Sequence, residues 1–180
     1  MIQINKYLSG TVLHALCALS LAGDAVAAYS GDGTLVDNGQ ISATDRYVLN
    51  LGSISFATTS SSTFTLKGLP REKFVFGFEL RLLPNQNRRL EPTLISATAL
   101  ISIVDESGKT LFTKHTKLNE WTWSIHSPGD YAFIYGREPF STDLQASHGK
   151  TYKLTVAVIE PDPALAIYSA SVVAKAGGWK

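Results

Sequence analysis

Cysteine is almost missing from this sequence. Of its 180 residues one is cysteine, Cys17, and that one lies near the start of the chain. Beyond residue 28 there is no thiol, which excludes disulfides, cysteine nucleophiles and cysteine-rich zinc sites from that region. A surplus of one charge is missing too. Lys and Arg together number 16, Asp and Glu 15, and no long block of either sign occurs. That balance argues against a nucleic-acid partner, which wants a basic face, and against tight binding to an anionic membrane surface. Histidines in metal-binding spacing are also absent. His115, His126 and His148 form no H-x-H or H-x-x-x-H pair, so no metal is expected. No G-x-S-x-G elbow and no glycine-rich loop opening a helix occur, so neither a hydrolase triad nor a phosphate cradle is expected, and no cofactor is implied.

A long apolar run is lacking as well. The single run, "TVLHALCALSLAG", is cut short by Asp24, below the ~20 residues a membrane span needs. It follows Lys6 and ends in "DAVAA", where Ala25-Val26-Ala27 and Val26-Ala27-Ala28 both place small residues at the positions a signal peptidase requires. Residues 1–28 read as a secretory signal peptide cleaved near Ala27 or Ala28. Leu16, not a small residue, precedes Cys17, which argues against a lipoprotein. The remaining chain, residues 29–180, has the size of one domain. It is long enough to bury a core without disulfides. It is expected to be periplasmic or secreted, with no membrane span in the mature chain.

What the sequence does contain is period-two alternation. After the turn-rich opening "YSGDGTLVDNGQISATD", which allows an edge strand at Leu35 and Val36, Tyr47, Leu49 and Leu51 alternate. Asp32 and Asp37 do not have the spacing of a calcium loop. "TFTLKGL" puts Phe64 and Leu66 on one face. "KFVFGFELRLL" lines Phe74, Phe76, Phe78, Leu80 and Leu82 along one side. In "LISATALISIV" the residues Ile95, Ala97, Ala99, Ile101 and Ile103 share a side, and small alanines suit positions facing large phenylalanines. "TLFTKHTKL" is polar enough for an edge, where Lys114 and Lys117 oppose aggregation. About nine strands with little helix follow. The only helical candidate is "STDLQAS", with Ser141 or Thr142 as its cap. Many short strands separated by turns predict an all-β antiparallel sandwich, jelly-roll or immunoglobulin-like.

"NEWTWSIHSPGDYAFIYG" predicts a hairpin closed at Ser127–Asp130. Its register decides what the aromatics do. With an even loop, His126 faces Tyr131, Ser124 faces Phe133 and Thr122 faces Tyr135, and Trp121 and Trp123 turn to the core. With a three-residue loop all five aromatics share one face. Tryptophan is highly buried on average, so the core is the expected place for both. The alternative is a sugar-stacking platform built on Trp121, Trp123, Tyr131 and Tyr135 with His126. Two loops add cations: "PNQNRRLEPT" with Arg88 and Arg89, and "GREPFSTDLQASHGK" with Arg137. The second loop reads as a functional loop or as a crossover between two sheets.

"GKTYKLTVAV" followed by "YSASVVA" resembles the paired final strands of jelly-roll modules, carbohydrate-binding ones among them. The expected function is an exported, non-catalytic binding or structural module of the cell envelope or extracellular space, with a protein partner. Two alternatives stand beside it. One is a carbohydrate-binding module using the hairpin aromatics, with a glycan as partner. The other is a hydrolase using carboxylates such as Glu79, Glu120 and Glu160.

Overall fold

The computed structural model describes residues 28–39, 45–86, 91–126, 131–137 and 141–178. The leader, Arg88, Arg89 and the turn Ser127–Asp130 lie outside them, as do the side chains of His126 and Tyr131.

The alternation read from the sequence becomes two antiparallel sheets. In chain order the strands are β1 (Thr34–Asp37), β2 (Tyr47–Ile54), β3 (Ser60–Lys67), β4 (Lys73–Leu82), β5 (Thr98–Asp105), β6 (Thr110–Lys117), β7 (Thr122–His126), β8 (Tyr131–Tyr135), β9 (Asp143–Gln145), β10 (Thr151–Glu160) and β11 (Tyr168–Ala176). The larger sheet runs β1-β2-β11-β4-β8-β7, with β9 also paired to β4. The smaller runs β3-β10-β5-β6. The pairing is nested: β2 with β11, β3 with β10, β4 with β8 and β5 with β6. A single long ribbon wound in this way around two sheets is a jelly roll, and it sets the immunoglobulin-like alternative aside.

The core follows from volume. Phe74, Phe76, Phe78 and Leu80 of β4 all point inward and are buried. Their partners on β11 are Ala176, Ala174, Val172 and Ala170. Large residues on one strand meet small ones on the next, which lets the layer close at native density. From the smaller sheet, Ala99, Ile101, Ile103, Leu154 and Val156 complete the same cluster. The sheet edge at β6 is held by Lys114 and Lys117, as the sequence suggested.

Two expectations are corrected. The strands number eleven among the described residues, not about nine. The helical candidate "STDLQAS" is extended instead, with β9 at its centre. Thr142, Leu144 and Ala146 are its buried residues, a spacing of two that suits a strand and not a helix. Thr142 Oγ1 donates to Phe76 O at 2.6 Å, and Phe76 N donates back to Thr142 O at 3.3 Å. A threonine read as a helix cap instead fastens an extended segment onto β4.

The start of the described chain straps the two sheets together. Ser30 N donates to Lys67 O at 3.0 Å, and Asp32 N to Thr65 O at 2.7 Å. Thr65 N donates to Asp32 Oδ2 at 2.6 Å. The chain thus covers one end of the β3 edge before it joins the other sheet as β1. Gly31 permits the approach: a Cβ there would sit 2.4 Å from Thr65 O.

Candidate functional site

The hairpin takes the even register. His126 pairs with Tyr131, Ser124 with Phe133 and Thr122 with Tyr135. Trp121 is 4% exposed and stacks on Phe78, with ring centroids 5.5 Å apart and planes at 25°. Phe56 meets the same Phe78 edge-on at 4.9 Å. Trp123 is half-buried against the core, and its Nε1 donates to Leu118 O at 2.8 Å. Trp121 therefore belongs to the interior, as its burial tendency suggested: one face of its ring is covered by Phe78, and the whole side chain is closed to solvent, while Trp123 stays partly exposed. Trp121 Nε1 is buried with no hydrogen-bond partner.

The other side of the hairpin is also closed. Phe133 is 1% and Tyr135 7% exposed. Their rings stack at 5.2 Å and 20°. With Val75 and Val173 they form a second, smaller apolar cluster on the outer side of the larger sheet. Lys175 runs beneath it, 8% exposed, with Nζ 4.2 Å from the Phe133 ring centroid and 3.2 Å from Glu79 Oε1. Arg81 approaches the other Glu79 oxygen at 3.9 Å. Gly77 lies in the middle of this arrangement. A Cβ there would come within 2.1 Å of Ile134 O, so only glycine lets β8 lie this close to β4. Tyr135 is thus removed from the ligand candidates too. Burial of a lysine is tolerated here because a carboxylate and an aromatic face receive its charge. Glu79 and Lys175 were the residues that sequence reading missed in this role. Their outward positions in two alternating strands were visible, but the pairing was not.

Carboxylates considered for hydrolysis have structural duties. Glu79 pairs with Lys175. Glu120 accepts from Thr116 Oγ1, and Glu160 accepts from Thr98 Oγ1 at 2.6 Å. Asp162 uses one oxygen for Ser96 N at 2.9 Å and the other for Ala164 N at 3.0 Å. Asp105 accepts from Ser107 and Lys109, which hold the β5–β6 turn, and those bonds keep its carboxyl below its ordinary pKa. Arg137 is exposed at the end of β8. Among the described residues, no group of three His, Cys, Asp or Glu is placed to hold a metal ion, and no helix is long and apolar enough to cross a membrane.

The outer face of the smaller sheet differs in kind. Pairing aligns Thr63, Thr155, Ser102 and Thr113 in one row across all four strands. Thr63 and Thr155 hydroxyls lie 3.4 Å apart, and those of Ser102 and Thr113 2.8 Å apart. The row on one side reads Thr65, Lys153, Val104 and Thr110; the row on the other reads Ser61, Ala157, Leu100 and His115. Each of these side chains is exposed or half-buried. The face is a grid of hydroxyls and short apolar groups about 14 Å wide, from the usual strand spacing.

Fold and surface together define a jelly roll whose larger sheet carries a small buried cluster on its outer side and whose smaller sheet presents an open grid of hydroxyls. No protein-family model matches the chain, and no curated protein shows significant similarity to it.

Proposed function

We propose that this protein is an exported, non-catalytic binding module of the cell envelope or extracellular space, and that its working surface is the outer face of the four-stranded sheet. The observation that carries this reading is the hydroxyl row Thr63–Thr155–Ser102–Thr113, which no described element covers. On the opposite outer face Phe133, Tyr135 and Lys175 are buried, while Arg81 and Ser169 on the same side are exposed. Export is supported by the apolar leader and its small-residue exit. Cleavage there would keep Tyr29 in the mature chain, where its hydroxyl donates to Asp32 O at 2.5 Å.

The composition of the face bears on its partner. Protein interfaces concentrate aromatics, Met and Arg and are poor in Lys and Ser. The three rows here hold Thr, Ser, Lys, His, Ala, Leu and Val. That composition favours a sugar polymer over the protein partner expected from the sequence. The hairpin aromatics have no part in it.

The test is a bulky negative charge in the middle of the row. Ser102→Glu should abolish association of the exported chain with the envelope or extracellular material and leave its melting temperature within a few degrees. Thr58→Glu, in an exposed loop outside the row, should leave association intact. Association that survives Ser102→Glu would remove the proposal.

A further inference from the structure

We propose that the ligand of this face is an anionic glycan, a sugar polymer bearing carboxylates; the inference rests on the reading of the four-stranded face as the working surface. The three rows contain the cation Lys153 and no acid. Lys153 stands in the row above the hydroxyls, and the His115 imidazole in the row below. Lys67 and Lys117 extend the outward columns of β3 and β6 at opposite corners. All four side chains are exposed. Among the described residues, Lys67, Lys117 and Lys153 enter no ion pair.

The nearest acids stand at the margins and are engaged. Glu106 is held by Lys150 at 2.5 Å. Glu160 accepts from Thr98, and Asp32 accepts from Thr65 N at the β3 edge. Glu160 and Asp32 keep their charge, since their donors are neutral, but both stand outside the three rows, whose fixed charge is Lys153 with Lys67 and Lys117 at the corners. A ligand drawn there carries negative charge.

The hydroxyls specify what kind of anion. Each Thr and Ser both donates and accepts, which matches the alternating demands of sugar hydroxyls. Ala157, Leu100 and Val104 between them offer flat apolar contact to sugar C–H faces. From Lys153 to His115 the diagonal spans two strand spacings and four residues along a strand, about 17 Å. A polymer on that diagonal meets Lys153, then Thr155 and Ser102, then the His115 imidazole, with Lys117 two residues beyond it on β6. A small anion would use one corner and leave the row idle.

The experiment is calorimetric titration of the full chain, as purified from cells that export it, with polygalacturonate and alginate. Fully methyl-esterified polygalacturonate has the same backbone without charge. Both acidic polymers should bind, more weakly as salt is raised, and the ester should not. The triple variant K67A/K117A/K153A should keep its melting temperature and lose about tenfold or more in affinity, roughly 1.4 kcal/mol. T155V/S102V should weaken binding without changing its salt dependence. Equal binding of acid and ester would overturn the anionic assignment. Affinity unchanged in the triple variant would overturn the location. Silence of both polyuronates would overturn the glycan class. If Ser102→Glu still abolishes association in that last case, the working surface stands and only its ligand is wrong. If Ser102→Glu is without effect, the surface itself has been misread.

Discussion

Lys175 Nζ sits 4.2 Å from the centroid of the Phe133 ring, with Glu79 3.2 Å away on its other side. One ammonium thus joins β11, β4 and β8 on a face of the sheet that alternation alone would assign to solvent. Lys175→Met keeps most of the apolar stem but strands Glu79 among buried groups. Breaking a buried pair in this way costs about 3–5 kcal/mol, and the nearby Arg81 should hold the loss toward the lower end. The double variant K175M/E79L should recover most of that loss. Urea unfolding of the two single variants and the double gives the coupling directly. Additive losses would mean that the pair does not act as a unit.

That cluster also marks how far the sequence could be read. The inward face of β4 was legible because Phe74, Phe76, Phe78 and Leu80 repeat at the strand period, and nothing else in the chain competes with so large an apolar surface. Its outward face, Val75–Gly77–Glu79–Arg81, looked like a solvated one. Alternation says which side a residue takes and not what arrives to cover it. Phe133 and Lys175 lie on strands far apart in the chain, β8 and β11, and meet only through the nested pairing. The hydroxyl row was invisible for the same reason, since it exists only once four registers are fixed. The hairpin was half legible. Its two registers were both available, and the loop length between His126 and Tyr131 chose one. β9 was misread because Thr142 suits a helix cap as well as a strand anchor, although Leu144 and Ala146 already carried the spacing of two.

Gly77 makes a sharp test of the β4–β8 contact. A methyl group there points at Ile134 O from 2.1 Å, and the neighbour is backbone, which cannot turn aside as a side chain can. Gly77→Ala should lower stability by about 1–3 kcal/mol, the usual range for overpacking, or more. For a domain of this size that is a fall in melting temperature of about 2–4 °C per kcal/mol. Gly108→Ala is a control of another kind. Its Cβ meets nothing within 4 Å, so its loss comes from backbone strain at φ +82° alone. Hydrogen exchange should quicken in β8 for the first variant and only in the β5–β6 turn for the second.

Tyr29 predicts an alkaline transition. Burial, and secondarily the charge of Asp32, push its hydroxyl from 10.0 up to about 12. Between those values the folded chain keeps a proton that the unfolded chain has lost, so stability falls as pH rises. The contribution is intact below about pH 10 and lost as pH passes 12. The strap over β3 should loosen first, because Tyr29 donates to Asp32 O, and Asp32 in turn binds Thr65 N. Tyr29→Phe should remove this component of the alkaline titration at 295 nm and flatten the stability profile over the same window. A profile identical to that of the native chain would show that the strap does not depend on this hydroxyl.

The two tryptophans should respond differently to the loss of their ring nitrogens. Trp123 Nε1 donates to Leu118 O, which also accepts from Trp121 N, so Trp123→Phe removes one of that carbonyl's two donors and loosens β7 from the preceding turn. A lost hydrogen bond of this kind is worth about 0.5–1.5 kcal/mol. Trp121 Nε1 has no partner in its buried site. An unsatisfied buried N–H already costs about 1–3 kcal/mol, so Trp121→Phe relieves one penalty while it opens a small void beside Phe78. The two effects oppose, and the net change should stay within about 1 kcal/mol, below that of Trp123→Phe. Denaturant midpoints of the two variants rank them. A larger loss at Trp121 would mean that packing against Phe78 outweighs the orphaned donor, and that the indole is held there for its volume.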